Sequence, residues 1–263
     1  MLRLFLVFLA ATFTINSFAQ IPTAKTSVRS NQLTQVQEED GHNALEYQLI
    51  DSSGLMSLSQ QVKYSAQQFI QQSSEVGSVT NAKTMSGNQE INHAQHFAIA
   101  KSLAKRWTED AWQKRLLDLI HEMPVATQKK VQAQLAHPLI QAAQSKERQA
   151  IEVQHTPEYQ LYINKLRQRP PSASRTQLIE NLDKSFGFSD MLIKTRAVVI
   201  KEISHQVKGW NAPDDWKSNT KQEVLDFLFY AYRKTPNSEL KRIAQRFNQP
   251  ELNNFYRSVR NAI

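Results

Sequence analysis

Glu90, His93 and His96 stand at three-residue steps in "EINHAQHF". On a helix each such step turns the chain by about 300°, so the two imidazoles lie close together with the carboxylate at the margin of their face. Two imidazoles and a carboxylate can hold zinc and leave a position for water, the arrangement of a metal-dependent hydrolase. The spacing is not the His-Glu-x-x-His of zinc peptidases, and a His-x-x-His pair arises readily by chance. These residues are weak metal candidates, and the sequence assigns no catalytic residue and no cofactor. The chain has no Gly-x-Ser-x-Gly elbow, no cysteine and no glycine-rich phosphate loop. His121 and Glu122 are adjacent, and neighbours on a helix point about 100° apart, a poor arrangement for a base and its orienter. Asp118 and Asp226 hold matching places in two similar stretches. If they met across the molecule, one would be driven to keep a proton and act as an acid.

Two other groups point to binding. Phe227, Phe229, Tyr230 and Tyr232 crowd into "FLFYAY". Phe227, Tyr230 and Tyr232 are possible lining residues for a ligand held between helices, although aromatics of this size are the usual anchors of a helical core. Lys129 and Lys130, and again Lys241 and Arg242 with Arg246 one turn on, can form cationic helix faces. Such faces attract anionic surfaces in a salt-dependent way.

The elements that must position these residues are helices. Six glycines in 263 residues and little β-branched alternation argue against sheets. Leu55, Leu58, Val62, Ala66 and Phe69 recur at three- and four-residue steps, giving one apolar stripe from about Leu55 to Gln72. The polar stretch 73–90 is expected to be a loop. Helices are expected over Ile91–Arg106 and Glu109–His121, the latter capped by Thr108. Pro124, Pro138 and Pro157 can each open another in its first turn.

"KKVQAQLAHP" at Lys129–Pro138 returns as "KRIAQRFNQP" at Lys241–Pro250. "LLDLI" at 116–120 returns as "VLDFL" at 224–228, and Gly54-Leu55 as Gly187-Phe188. Repetition of several phrases in one order predicts internal duplication. The expected architecture is all-α, two related helical bundles at 42–168 and 175–263, joined at 169–174 by "RPPSAS".

The N-terminus has the layout of a secretory signal peptide. Arg3 precedes an apolar run from Leu4 to Phe13, and small residues at Ser17 and Ala19 suit cleavage at the end of 1–19. A polar, flexible lead is expected over 20–41. Export to the periplasm follows, and no later segment is apolar enough to span a membrane. Cleavage removes one cation from a formal net charge of +8, and the basic balance favours anionic partners. Nucleic acid is scarce outside the cytoplasm, so an envelope protein, an anionic surface or an anionic polymer is the expected partner.

An aromatic helix followed by a Thr-Pro start resembles an uncharacterised exported bacterial all-helical family, a domain of unknown function with a Phe-Tyr…Thr-Pro helix motif. The matching residues are Phe229, Tyr230, Thr235 and Pro236. The resemblance implies an all-helical fold and supplies no catalytic residues. The function expected from these readings is a non-catalytic binding or interaction module of the cell envelope. The alternatives are a metal-dependent hydrolase using His93 and His96, and a carrier of an apolar ligand between helices.

Overall fold

Several helix starts in this protein are set by side chains that take up amides of the first turn, which have no partner within the helix. Thr108 accepts from the Ala111 amide at 3.0 Å, Thr156 from Tyr159 at 3.3 Å and Ser172 from Arg175 at 3.3 Å. Asn92 and Gln95 cap reciprocally, each side chain accepting from the other's backbone N–H. Pro138 and Pro157 occupy first-turn positions as expected, whereas Pro124 precedes its helix as the cap.

The computed structural model describes residues 44–59, 61–62, 65–66, 69, 91–154 and 156–263. These residues form helices and turns, with no strand among them. The elements are α1 (44–53), α2 (helical residues between 57 and 69), α3 (His93–Arg106), α4 (Glu109–His121), α5 (Val125–Leu135), α6 (Pro138–Val153), α7 (Pro157–Gln168), α8 (Ala173–Phe186), α9 (Phe188–Gln206), α10 (Trp216–Ala231), α11 (Asn237–Phe247) and α12 (Pro250–Ala262). The expected signal peptide at 1–19, the lead at 20–41 and the loop at 73–90 lie outside the described residues.

The stretch 169–174 does separate helices, with α7 ending before it and α8 beginning within it. Helices on either side nevertheless pack together: α6 lies against α10 and α11, α12 against α4 and α5, α3 against α9, and α7 against α10. One apolar core joins them. Leu49, Trp112, Ile140, Phe247, Phe255 and Tyr256 are all fully buried in it. Each such side chain contributes on the order of 1.5–3 kcal/mol of transfer free energy.

The two similar phrases adopt similar local geometry. Pro124 caps α5 with φ −54° and ψ 136°, and Pro236 caps α11 with φ −60° and ψ 150°. Both helices have 11 residues, and each ends in an αR residue, Ala136 or Asn248. Each then passes through an extended residue, His137 or Gln249, into a helix opened by Pro138 or Pro250. The buried faces agree as well: Gln128, Val131 and Leu135 correspond to Leu240, Ile243 and Phe247.

A second correspondence lies at the two glycine corners. Gly54, between α1 and α2, has φ 71°, and Gly187, between α8 and α9, has φ 84°. Positive φ favours glycine at both places. Two residues before each is a serine with an oxygen that accepts from a distant side-chain amide. Ser52 O accepts from Gln144 at 2.9 Å, and Ser185 Oγ accepts from Asn248 at 2.8 Å. The corners differ in crowding. A Cβ on Gly54 meets open space, while one on Gly187 collides with the Arg260 guanidinium that donates to the Phe186 carbonyl.

Candidate functional site

The cationic residues singled out in the sequence point away from the core because the opposite faces of their helices are buried. Lys129 and Lys130 lie on α5, and Lys241, Arg242 and Arg246 on α11. Lys129, Lys130, Lys241 and Arg242 are exposed, and Arg246 is half-buried. Lys130 reaches Glu251 in the first turn of α12, with Nζ 3.1 Å from Oε1. Such a solvated pair contributes little stability.

The aromatic helix end turns inward. Phe227, Tyr230 and Tyr232 are buried in the shared core. The Tyr230 ring packs against Tyr159 at 4.7 Å and edge-on against Tyr162 at 5.2 Å, with the Arg233 guanidinium 3.8 Å above it. Burial, reinforced by the nearby Asp226 carboxylate, pushes the Tyr159 phenol well above its ordinary range.

His93 and His96 sit in the first turn of α3, their ring centroids 6.4 Å apart. His93 is exposed and His96 half-buried. Glu90 lies outside the described residues. Among the described residues no three His, Cys, Asp or Glu side chains are grouped to hold a metal.

A carboxyl is the most chemically unusual group in the core. Glu147 belongs to "QSKERQ" on α6, yet it is buried, and its Oε1 accepts from the Tyr232 hydroxyl at 2.6 Å. Burial pushes its carboxyl up to about 7, and the Tyr232 hydrogen bond and the Arg148 charge oppose that only in part. The same carboxyl acts on Tyr256 of α12, whose buried phenol is also raised. Burial and Glu147 likewise raise Tyr232. The neighbouring Lys146 pairs with Glu239 of α11 at 2.6 Å. Glu147 thus accepts from Tyr232, the residue that caps α10, and its charge reaches Tyr256 of α12, at the seam between the two parts of the chain. Its helical register gave the one available clue, because Ile140, Ala143, Glu147 and Ala150 share the buried face of α6.

His121 finds a partner that adjacency did not suggest. Its Nδ1 lies 3.1 Å from Oε1 of Glu46 on α1, a buried residue distant in sequence. The pair borders a surface depression of about 300 Å³ lined also by Tyr47, Leu117 and Asp118. Glu46 can orient the imidazole there, but the depression is shallow and open. Asp118 and Asp226 do not form a pair. Lys114 holds Asp118 at 2.9 Å, while buried Asp226 accepts from Arg167 at 2.9 Å and from Gln222 at 2.8 Å.

The residues of the Phe-Tyr…Thr-Pro motif have structural duties: Phe229, Tyr230 and Thr235 are buried, and Pro236 caps α11. No protein-family model, no curated protein and no solved structure matches the chain, so the likeness drawn on this motif stands on those four residues alone.

Proposed function

We propose that this is an exported, periplasmic binding module, built by duplication of a helical unit, that engages an anionic envelope polymer without turning it over. The observation that carries the reading is the placement of Lys129 and Lys130 on α5 and of Lys241 and Arg242 on α11. They are exposed at corresponding positions of two helix–turn–helix segments with matching caps and buried faces. Duplication accounts for that match and for the paired glycine corners. Two similar cationic faces on one rigid core favour bivalent attachment to a repeating anionic chain, because the second contact forms at high effective concentration.

The reading predicts salt-sensitive pelleting of the full chain with isolated anionic wall polymer. Reversing Lys241 and Arg242 to glutamate weakens pelleting by about tenfold or more through lost avidity. Pelleting unchanged by the reversal, or indifferent to salt, contradicts it. Stoichiometric zinc lost on His93→Ala with His96→Ala supports the hydrolase instead. Lipid released from the purified core supports the carrier.

A further inference from the structure

Cations from three separated stretches gather where α7 ends, α8 begins and α10 turns into α11. Tyr162 lies at their centre. Its hydroxyl donates to the Phe229 carbonyl at 3.0 Å, and the charges of Arg233 and Arg175 both reach its phenol. Arg175 donates to the carbonyls of Tyr232 at 2.6 Å and Thr235 at 2.8 Å, and to the Asn237 side chain at 2.7 Å. Arg233 donates to the Tyr230 carbonyl at 2.8 Å. Arg167 pairs with Asp226. These three arginines hold the corner together, as suits the carbonyl end of α10, which attracts positive charge.

Three further cations at the same corner have no such duty. Lys165 follows Tyr162 by three residues and lies beside it on α7, and Arg169 is the cap that directly follows that helix. Lys234 follows Arg233 in the turn. All three are exposed, and none makes an ion pair among the described residues. The acid that pairs within the cluster, Asp226, is buried. Leu161 stands one turn before Lys165 with 54% of its surface exposed. An aliphatic side chain in line with unpaired cations matches an amphiphilic boundary better than a soluble polyanion, which has nothing apolar to offer it.

We infer that this corner docks on an anionic phospholipid surface, with Lys165, Arg169 and Lys234 at lipid phosphates and Leu161 entering the headgroup layer. The attachment is peripheral, since no described helix is long and apolar enough to cross a membrane. It does not depend on the faces of α5 and α11.

The test is co-sedimentation of the full chain with phosphatidylglycerol/phosphatidylcholine vesicles and with phosphatidylcholine alone. Each basic residue near an anionic bilayer strengthens attachment by roughly fivefold, so the combined Lys165→Glu, Arg169→Glu and Lys234→Glu variant is expected to bind the anionic vesicles about 100-fold more weakly or worse. Leu161→Asn, which removes the aliphatic side chain without adding a charge, weakens binding further without altering salt dependence. A control with the same charge change at Lys129, Lys241 and Arg242 keeps most vesicle binding. An equal loss in both triple variants overturns the inference in favour of diffuse net charge. Wild-type affinity in the corner variant, or a wild type that binds a soluble anionic polymer and ignores anionic vesicles, overturns it outright. Wall-polymer pelleting of the two triple variants separates this surface from the α5 and α11 faces.

Discussion

Glu147→Gln is expected to gain stability over the wild type steadily as pH rises from about 4.5 to above 7. Burial raises the folded carboxyl to about 7 from an ordinary value of 4.5. An acid raised in this way supports the fold when protonated. Its contribution is complete below the unfolded value and is lost as pH climbs through the folded one. The full loss amounts to about 3 kcal/mol, from roughly 1.4 kcal/mol per unit. Tyr232 just after α10, Tyr256 of α12, Glu239 of α11 and Arg148 of α6 surround the titrating group and its hydrogen-bond partner, and none offers Glu147 a buried cation. Glutamine keeps an oxygen for the Tyr232 hydroxyl and cannot ionise. Urea unfolding of both proteins across this range checks the expectation through the difference between them, because other carboxyls titrate alike in each. A difference that stays flat with pH rules it out.

Arg196→Ala is expected to destabilise the protein by about 3–5 kcal/mol. Arg196 joins α9 to α10, donating to Glu223 at 2.6 Å and to Thr220 at 2.7 Å, with side-chain exposures of 7% for Arg196 and 13% for Glu223. Burial raises the Glu223 carboxyl, and the Arg196 charge is the largest influence holding it down. Removing the arginine strands that carboxylate inside the protein. Thr220 is not stranded, since its hydroxyl still reaches the Trp216 carbonyl at 2.7 Å. The pair is also imperfectly satisfied: Arg196 Nε and Glu223 Oε1 have no hydrogen-bond partner among the described residues. Arg196→Met with Glu223→Leu is therefore expected to recover most of the loss, since an apolar pair of similar volume avoids desolvating two charges. A double-mutant cycle by urea unfolding measures this. Additive losses contradict the coupling.

Local signals in the sequence reached far into the fold. Thr108 marks a helix start because a short hydroxyl before a charged first turn can take up free amides. The expected spans Ile91–Arg106 and Glu109–His121 agree with α3 and α4, allowing for Asn92 as the α3 cap. Of the expected stripe, Leu55, Val62, Ala66 and Phe69 are buried and Leu58 is half-buried, with Leu55 in the turn that precedes the helix. Period says which side of a helix is buried but not which helix covers it. For that reason the register of α6 puts Glu147 on one face with Ile140 and Ala143 but does not show that Tyr232 covers it. His121 was weighed against its neighbour Glu122, while its contact is Glu46. The corner of Lys165, Arg169 and Lys234 could not be foreseen, because nothing local places the turn after α10 beside the end of α7.

In the proposed function, two matched cationic units act together on one anionic polymer. Equilibrium binding of the full chain to purified wall polymer tests it most directly, comparing wild type, Lys129→Glu with Lys130→Glu, Lys241→Glu with Arg242→Glu, and all four together. Each pair of changes is expected to lower affinity by about tenfold or more, and the combined variant to fall to background, with unfolding transitions intact. Affinity equal to wild type in either paired variant, or in the combined one, contradicts it.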